Sequence, residues 1–596
     1  MSADSTLGDA PSAFDAAVAL HRAGQDREAL ACCETALAAE PARGEAWQLK
    51  AVLLSRLADA DGAVTALARA IALDPENSDL RFQQAGLLIH RDRKPEAIAA
   101  LERLLARAPD RADVVKLLAA LKRDLGDVDG ALAAANALVQ LRPDDATAWA
   151  SLGWAHYAVQ DWPQTEAAFR RAVALDPASA TAQRRHAMAL VLAGDPAGGL
   201  AAADRALALD PGNADAEDVR ATALRDLGRI GDAMAAADRA LARDPDHRGA
   251  LMRRALLLHD RGDPDAACIA YDRLLAIDPD HVEAHWNRGA ALLALGRLRE
   301  GFAEYEWRLR SRLFYRGPPR HAQPRWDGSS LAGRAILVHA EQGFGDTIQF
   351  LRYVPLLAAA TDRVFLEVPP PLKPLVAASG LARDLFGKGE TLPDFDCLAS
   401  LLSLPHLTGI LPGDPRLPMP YLRADPARIA QWRARLAPYP EPRIGLCWRG
   451  NPAHARDRDR SLPLAALEPL FGAPASFVSL QQPDAAPEIE AAGLAARILD
   501  RSADMDKDGA FLDSAALIMS LDLVVTVDTA IAHLAGALGR PALLLLHKNP
   551  DFRWMLGRGD TPWYPSLALL RQQRAGDWRD PVAAAAAAIA RRVAHG

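Results

Sequence analysis

The chain has 596 residues, a formal net charge of −7, 50% hydrophobic side chains and 24% charged ones. That length exceeds what a single hydrophobic core organises, so at least two domains are expected, and the acidic balance excludes general nucleic-acid affinity, which needs a basic balance or a basic face. The five cysteines (Cys32, Cys33, Cys268, Cys397, Cys447) have neither metal-ligand spacing nor a disulfide-framework pattern. The N-terminus lacks a basic start and a sustained apolar run, and the alanine-rich stretch near Val582–Ala590 is too short to span a bilayer, so the expectation is a cytoplasmic protein.

The first half is a repeat. Prolines stand at Pro41, Pro75, Pro109, Pro143, Pro177, Pro211, Pro245 and Pro279, each 34 residues after the last. Counting back 24 residues gives Ala17, Ala51, Ala85, Ala119, Gly153, Ala187, Ala221 and Ala255; counting back 12 gives Ala29, Ala63, Ala97, Ala131, Thr165, Gly199, Ala233 and Ala267. Both columns hold only small residues, as two closely packed antiparallel helices require. One copy places Trp149, Leu152, Gly153, Phe169, Ala172 and Pro177 at the positions of a tetratricopeptide repeat, and a ninth continues as Trp286, Gly289, Gly301 and Tyr305 without its closing proline. Residues 8–313 therefore resemble the tetratricopeptide (TPR) family, which implies a solenoid of about nine helix pairs in which each pair buries its face on its neighbours. A concave solenoid surface suits a protein acceptor or partner; the alternative is a spacer or an oligomerisation module.

After Trp307 the period stops. Arg308–Gly328 carries many arginines and three prolines and reads as a connector (residues 314–334) packed against both domains, or equally as solvated surface charge. From Ala335 the pattern becomes strand–loop–helix: strands at Ala335–Ala340, Arg363–Val368, Arg443–Arg449, Ser476–Gln481, Leu521–Val527 and Pro541–His547, and an amphipathic helix over Thr347–Ala360. Continuous apolar strands imply a parallel sheet covered on both faces. The proline-rich stretch Leu411–Pro442 separates two such series, which predicts an α/β region of two Rossmann-like halves, residues 335–425 and 440–580. Ligands in such folds bind beyond the carboxyl ends of the strands.

Three strand-end segments carry candidate chemistry. The first is Gln342-Gly343-Phe344-Gly345-Asp346, where glycines let a backbone approach a ligand and a helix begins. Asp346 is either a helix cap, worth about 0.5–2 kcal/mol, or a general base, worth about 10²–10⁴-fold in rate. The second is Trp448-Arg449-Gly450-Asn451-Pro452, continuing through His454, Arg456, Arg458 and Arg460 to Ser461, a basic loop suited to phosphate because a guanidinium forks onto phosphate oxygens. Within it Asp457-Arg458-Asp459 fits a D-x-D metal pattern but reads as solvated charge. The third is Asp528-Thr529-Ala530-Ile531-Ala532-His533, where Thr529 caps a helix whose N-terminus can face a phosphate and His533 lies one turn on; the alternative is a core histidine satisfied by backbone.

Together these segments resemble the heptosyltransferase-like glycosyltransferase superfamily (glycosyltransferase family 9, GT-B fold) over Pro324–Trp578, and more closely its TPR-fused bacterial members, whose late segment Trp554…Asp560-Thr561-Pro562-Trp563-Tyr564-Pro565 and Leu570-Arg571-Gln572 looks similar. The resemblance implies that Asp346 is the catalytic base. It assigns the donor phosphates and ribose to Asp528, Thr529, Ala530 and His533; the strand-end loops add Gly343, Gly345, Trp448, Arg449, Gly450, Asn451, Arg460 and Gln481 to the expected donor site, with no metal and no cofactor beyond the nucleotide-sugar substrate. Ala530 stands where the family often has glycine. The implied activity is inverting transfer of a sugar to Ser/Thr of a protein held by the solenoid; likeness to flagellin glycosyltransferases suggests flagellin as acceptor and a CMP-linked nonulosonic acid such as pseudaminic acid as donor. The competing readings are a non-catalytic TPR adaptor with a degenerate nucleotide-binding domain, and an O-GlcNAc-type transferase using a UDP-sugar.

Overall fold

The computed structural model describes residues 12–311, 320–452, 457–482, 485–507 and 510–595. Part of the expected connector (314–319) and two residues of the arginine loop, His454 and Arg456, lie outside the described residues. The chain forms two compact units, Met1–Pro245 and Asp246–Gly596.

The first unit is a run of antiparallel helix pairs, from Ala13–Arg22 with Asp26–Ala39 to Ala214–Asp226 with Ile230–Arg243. The small-residue columns lie between the helices: Ala17, Ala29, Ala63, Ala85, Ala97, Ala187 and Ala221 are fully buried. At Gly153 an added Cβ would sit 2.8 Å from the Phe169 ring, so this repeat needs glycine where the others in the column carry alanine. In several repeats the segment around the proline is also tied to the following helix. There the proline carbonyl accepts a bond from the side chain six residues on: Trp47 Nε1 to Pro41 (2.9 Å), Trp149 Nε1 to Pro143 (2.8 Å) and Gln183 Nε2 to Pro177 (3.2 Å). Aspartates cap the second helices: Asp59, Asp127 and Asp195 accept from the N–H groups of Gly62, Gly130 and Gly198 at 2.9, 3.0 and 2.8 Å.

The second unit opens with four more repeat helices, Arg248–Asp260, Pro264–Ile277, Val282–Ala294 and Leu298–Tyr305, which complete the nine expected pairs. Two wholly parallel sheets follow. The first contains β1 (Ile336–His339), β2 (Val364–Val368), β3 (Asp384–Gly387) and β4 (Cys397–Ser400) in the order β3-β2-β1-β4. The second contains β5 (Arg443–Cys447), β6 (Ser476–Ser479), β7 (Ile498–Leu499), β8 (Leu523–Val527), β9 (Ala542–Leu546) and β10 (Leu567–Arg571) in the order β10-β9-β8-β5-β6-β7. The α-solenoid plus two-sheet α/β architecture is the one expected, and the six expected strands are β1, β2, β5, β6, β8 and β9. Two local expectations fail. The helix expected over Thr347–Ala360 is a helix at Phe344–Phe350, a 3₁₀ turn at Leu351–Tyr353 and a short helix at Val354–Ala358, because Pro355 lacks the N–H an unbroken helix needs. The separator Leu411–Pro442 contains an 11-residue helix, Pro426–Leu436, capped by Asp425 and burying Trp432 and Leu436.

The last repeat helices share the core of the first sheet. Phe302 packs edge-on against Phe350 and Trp563 (centroids 6.5 and 6.3 Å apart), the Leu556 N–H bonds the Ala294 carbonyl at 3.0 Å, and Asn549 donates to the carbonyl of Asp260. Arg308, read as connector or surface charge, is fully buried: it donates to Glu341 (2.6 Å), Glu306 (2.7 Å) and Ser403 (2.9 Å). Among the described residues no helix is long and apolar enough to cross a membrane.

Candidate functional site

The loops at the carboxyl ends of β1, β5, β6, β8 and β9 converge on one cleft of about 520 Å³. On one wall the glycine loop after β1 enters the helix Phe344–Phe350; on the other, Thr529 caps the helix Ala530–Ala537, accepting the Ile531 N–H at 3.3 Å. The two helices meet so closely that a Cβ on Gly345 would lie 2.9 Å from Cδ2 of His533 and 3.8 Å from Cα of Ala530. Gly345 is thus required by the contact between the walls, and the alanine at position 530 sits at that same approach.

Asp346 occupies the third position of its helix. Its Oδ2 accepts the Gly343 N–H at 3.1 Å, a bond back to the helix start, and its Oδ1 is held by Nη2 of Arg553. The side chain is 15% exposed. Burial pushes its carboxyl above the usual carboxylate range, Arg553 opposes that shift, and Asp551 adds to it. Asp346 is therefore both a capping residue and a carboxylate lining the cleft. Asp528, also buried, is pushed up to about 6, with burial the dominant cause and Arg553 again opposing.

His533 is buried. Its Nδ1 shares a 2.9 Å hydrogen bond with the Tyr564 hydroxyl, its ring stacks on Trp554 (5.1 Å, 26°), and its Nε2, in the cleft wall, has no protein partner. Burial first, then the cations Arg553 and Arg352, hold its pKa well below the normal imidazole value, so the ring is neutral at pH 7. This is not a core histidine satisfied by backbone: its partner is a hydroxyl and one nitrogen remains available.

The arginine loop after β5 is more neutralised than its sequence suggests. Arg449 Nε pairs with Glu488 at 2.9 Å. Arg460 pairs with Asp457 at 3.1 Å and donates to the Asp528 carbonyl at 3.0 Å. Gly450 lies under this cover, since a Cβ there would meet Asp457 at 2.3 Å and Arg460 at 2.6 Å. Gln481 staples the loop: its Oε1 accepts the N–H groups of Trp448 (3.2 Å) and Arg449 (3.0 Å). Gly343, Arg449, Gly450, Asn451, Arg460, Gln481, Asp528, Thr529, Ala530 and His533 all line the cleft with Asp346 and Gly345. Trp448 does not. Its indole is fully buried in the apolar cluster behind β5, so only its backbone shapes the loop.

Several lining residues escaped the sequence reading. Arg553, 10% exposed, stands on the turn Phe552–Trp554 after β9. Phe344 and Phe511 form an edge-on pair (5.7 Å, 88°) at the cleft, Phe344 being 36% exposed; an apolar aromatic pair of this kind suits the flat face of a base. Phe344 had a visible signal, since an aromatic between two glycines of a ligand loop is not needed for the turn. Phe511 and Arg553 had no motif.

Known protein-family models agree with this architecture. Tetratricopeptide repeat models match residues 117–163, 151–214 and 219–282, and residues 56–121; the model of glycosyltransferase family 9 (heptosyltransferase) matches residues 510–572. Protein FlbA of Caulobacter vibrioides is 31% identical over 332 residues, 51% of this chain and 54% of that protein, so the chain spans about half the length of this curated relative. Among solved structures, a tetratricopeptide repeat protein from Parabacteroides merdae is 17% identical, covering 39% of this chain and 92% of that one, with a TM-score of 0.36. The C-terminal part of a TPR repeat-containing protein from Cytophaga hutchinsonii is 19% identical, covering 40% and 98%, with a TM-score of 0.34; yeast Tom70 is 17% identical, covering 48% and 62%, with a TM-score of 0.33. The chain carries tetratricopeptide repeats fused to a glycosyltransferase family 9 domain.

Proposed function

We propose that this chain is a protein O-glycosyltransferase, with a nucleotide-sugar in the cleft and a protein acceptor recruited by the repeats. The supporting observation is that the Asp346 carboxylate, the N-terminus of the Thr529 helix and the unpartnered Nε2 of His533 border one cleft. In this reading the acceptor hydroxyl oxygen bonds to the anomeric carbon as that carbon's bond to the donor phosphate oxygen breaks, and the hydroxyl proton passes to Asp346. The negative charge growing on the leaving phosphate falls to the N–H groups of the Thr529 helix and the arginines around it. Phe344 and Phe511 take the base. A neutral His533 serves this site as a hydrogen-bonding group rather than as a second cation.

The acceptor group is Ser/Thr, transfer is inverting, and the resemblance points to a CMP-linked nonulosonic acid such as pseudaminic acid and to flagellin. The first test is thermal stability of the full chain with CMP, UDP, GDP or ADP. Ligand at 100 times its Kd adds about 2.7 kcal/mol. A shift with CMP that is lost on changing Thr529 and His533 is expected; a shift with UDP instead replaces the donor, and no shift with any nucleotide favours the adaptor reading. With the donor in hand, Asp346→Ala should cost roughly 10²–10⁴-fold in transfer; unchanged transfer would remove Asp346 as the base.

A further inference from the structure

Arg553 pairs with Asp346 on one wall of the cleft and lies within electrostatic reach of Asp528 on the other. It comes from the turn after β9, and its guanidinium lies in the cleft with Nη2 on Asp346 and Nε 3.4 Å from Asp551 Oδ1, too poorly aligned to count as a hydrogen bond. Asp528 is close enough to contribute to its electrostatics. Two largely buried carboxylates, Asp346 and Asp528, and the 37%-exposed Asp551 therefore lie around one buried cation. The other two cleft arginines are already committed to Glu488 and Asp457.

A phosphate entering this space adds negative charge beside the largely buried carboxylates of Asp346 and Asp528, on both of which Arg553 acts. Its oxygens need donors, and Arg553 lines the same cleft as Thr529 and Ala530, where the phosphate-facing helix begins. Phosphate and Asp346 then compete for the same guanidinium. We propose that Arg553 is a positioning residue that exchanges partners: it holds Asp346 in the donor-free chain and moves to the phosphate of a bound nucleotide, leaving Asp346 free to take the acceptor proton. The idea rests on the transferase reading above. Its consequence is an order of events, because a carboxylate that loses an opposite charge becomes a stronger base; the base is at full strength only when a donor is in place.

The test is a double-mutant cycle in nucleotide affinity on the full chain, using the nucleoside monophosphate and the matching nucleoside of whichever base the panel selects. Arg553→Gln should weaken the monophosphate roughly tenfold or more and leave the nucleoside unchanged, as expected for loss of a charged hydrogen bond. Asp346→Asn, an isosteric change, should tighten the monophosphate about fivefold or more by releasing the guanidinium; in an Arg553→Gln background that gain should fall below about twofold. Arg553→Lys, which keeps the charge without the fork, should lie between. The proposal is overturned if Asp346→Asn leaves monophosphate affinity unchanged or weaker, or if its gain persists without Arg553, which would be plain charge repulsion. It is equally overturned if Arg553→Gln weakens nucleoside and monophosphate alike. None of these results touches the transferase reading, which falls instead if the unmodified chain binds no nucleotide.

Discussion

In the helices of the first unit, Arg220 meets Asp204 at 2.6 Å and Lys50 meets Glu34 at 2.8 Å, with the acids 51% and 54% exposed. In the α/β unit, Arg308 meets Glu341 with 0% and 2% exposure, and Arg553 meets Asp346 with 10% and 15%. The pairs look alike on paper and differ in what water does for them. An exposed pair is worth about 0–1 kcal/mol because either partner alone is well solvated. In a buried pair each ion is the other's replacement for water, so the loss of one strands the other.

That difference is sharpened by mutating one cation in each place. Arg308→Met should destabilise the α/β unit by roughly 3–5 kcal/mol, by leaving Glu341 buried without its partner, whereas Arg220→Met should cost no more than about 1 kcal/mol. Hydrogen exchange on the full chain separates the two: Arg308→Met should strip protection from Leu298–Tyr305 and the glycine-loop helix while leaving the helices of residues 44–209 unaffected. Replacing Arg308 and Glu341 together by methionines should recover most of the loss. Equal losses at Arg220 and Arg308 would break the comparison.

A second contrast lies within the α/β unit, between a buried acid with a partner and one held against its preference. Asp528 titrates near 6 in the folded chain because it is buried, against about 3.9 unfolded. Between these values the folded state carries a proton that the unfolded state has released, so stability falls as pH rises through the window. Two units correspond to about 3 kcal/mol. Asp528→Asn cannot ionise, so it should match the parent at pH 4 and exceed it by about 3 kcal/mol at pH 7.5. If the variant is less stable at both pH values, Asp528 is a structural anchor and the contrast is wrong.

The same distinction decides what was legible in the sequence. The 34-residue register and the strands β1, β5, β8 and β9 are local patterns, and so are the segments that end those strands; fold and most of the cleft could be read from them. Strands β3, β4, β7 and β10 could not: β7 has only two residues, and the other three are partly exposed along their length, so none presents the fully buried apolar run of β2, β8 or β9. Trp448 followed a strand like its neighbours, but the next outward step in the pleat belongs to Arg449, so the indole points into the core. Arg553 is 207 residues from Asp346 in sequence, and only the crossing of two separate strand-end loops brings them together. Charge pairing across such a distance has no periodicity to betray it, and Glu488, 39 residues from Arg449, was hidden for the same reason; Asp457 was in view, but read as solvated charge rather than as the partner of Arg460.

One register of the repeat was present in the sequence but hidden by its substitutions. The turn between the two helices of each pair uses a residue with φ between 56° and 88° at Gly24, Ala58, Asp92, Gly126, Gln160, Gly194 and Gly228 in the first unit, again 34 residues apart. Four of these are glycine, for which the left-handed region costs nothing; at the others a side chain is forced into it. Ala58, with no polar side chain to bond locally, should be the most strained, Gln160 next, and Asp92 least, since aspartate tolerates this region. Ala58→Gly should therefore stabilise its helix pair by about 0.5–1 kcal/mol after the added freedom of the unfolded glycine is subtracted. Slower hydrogen exchange across Gly44–Leu73 would register the gain, and Asp92→Gly should show almost none. A reversed order, with Asp92→Gly gaining more than Ala58→Gly, would mean that the turn is set by packing rather than by backbone strain.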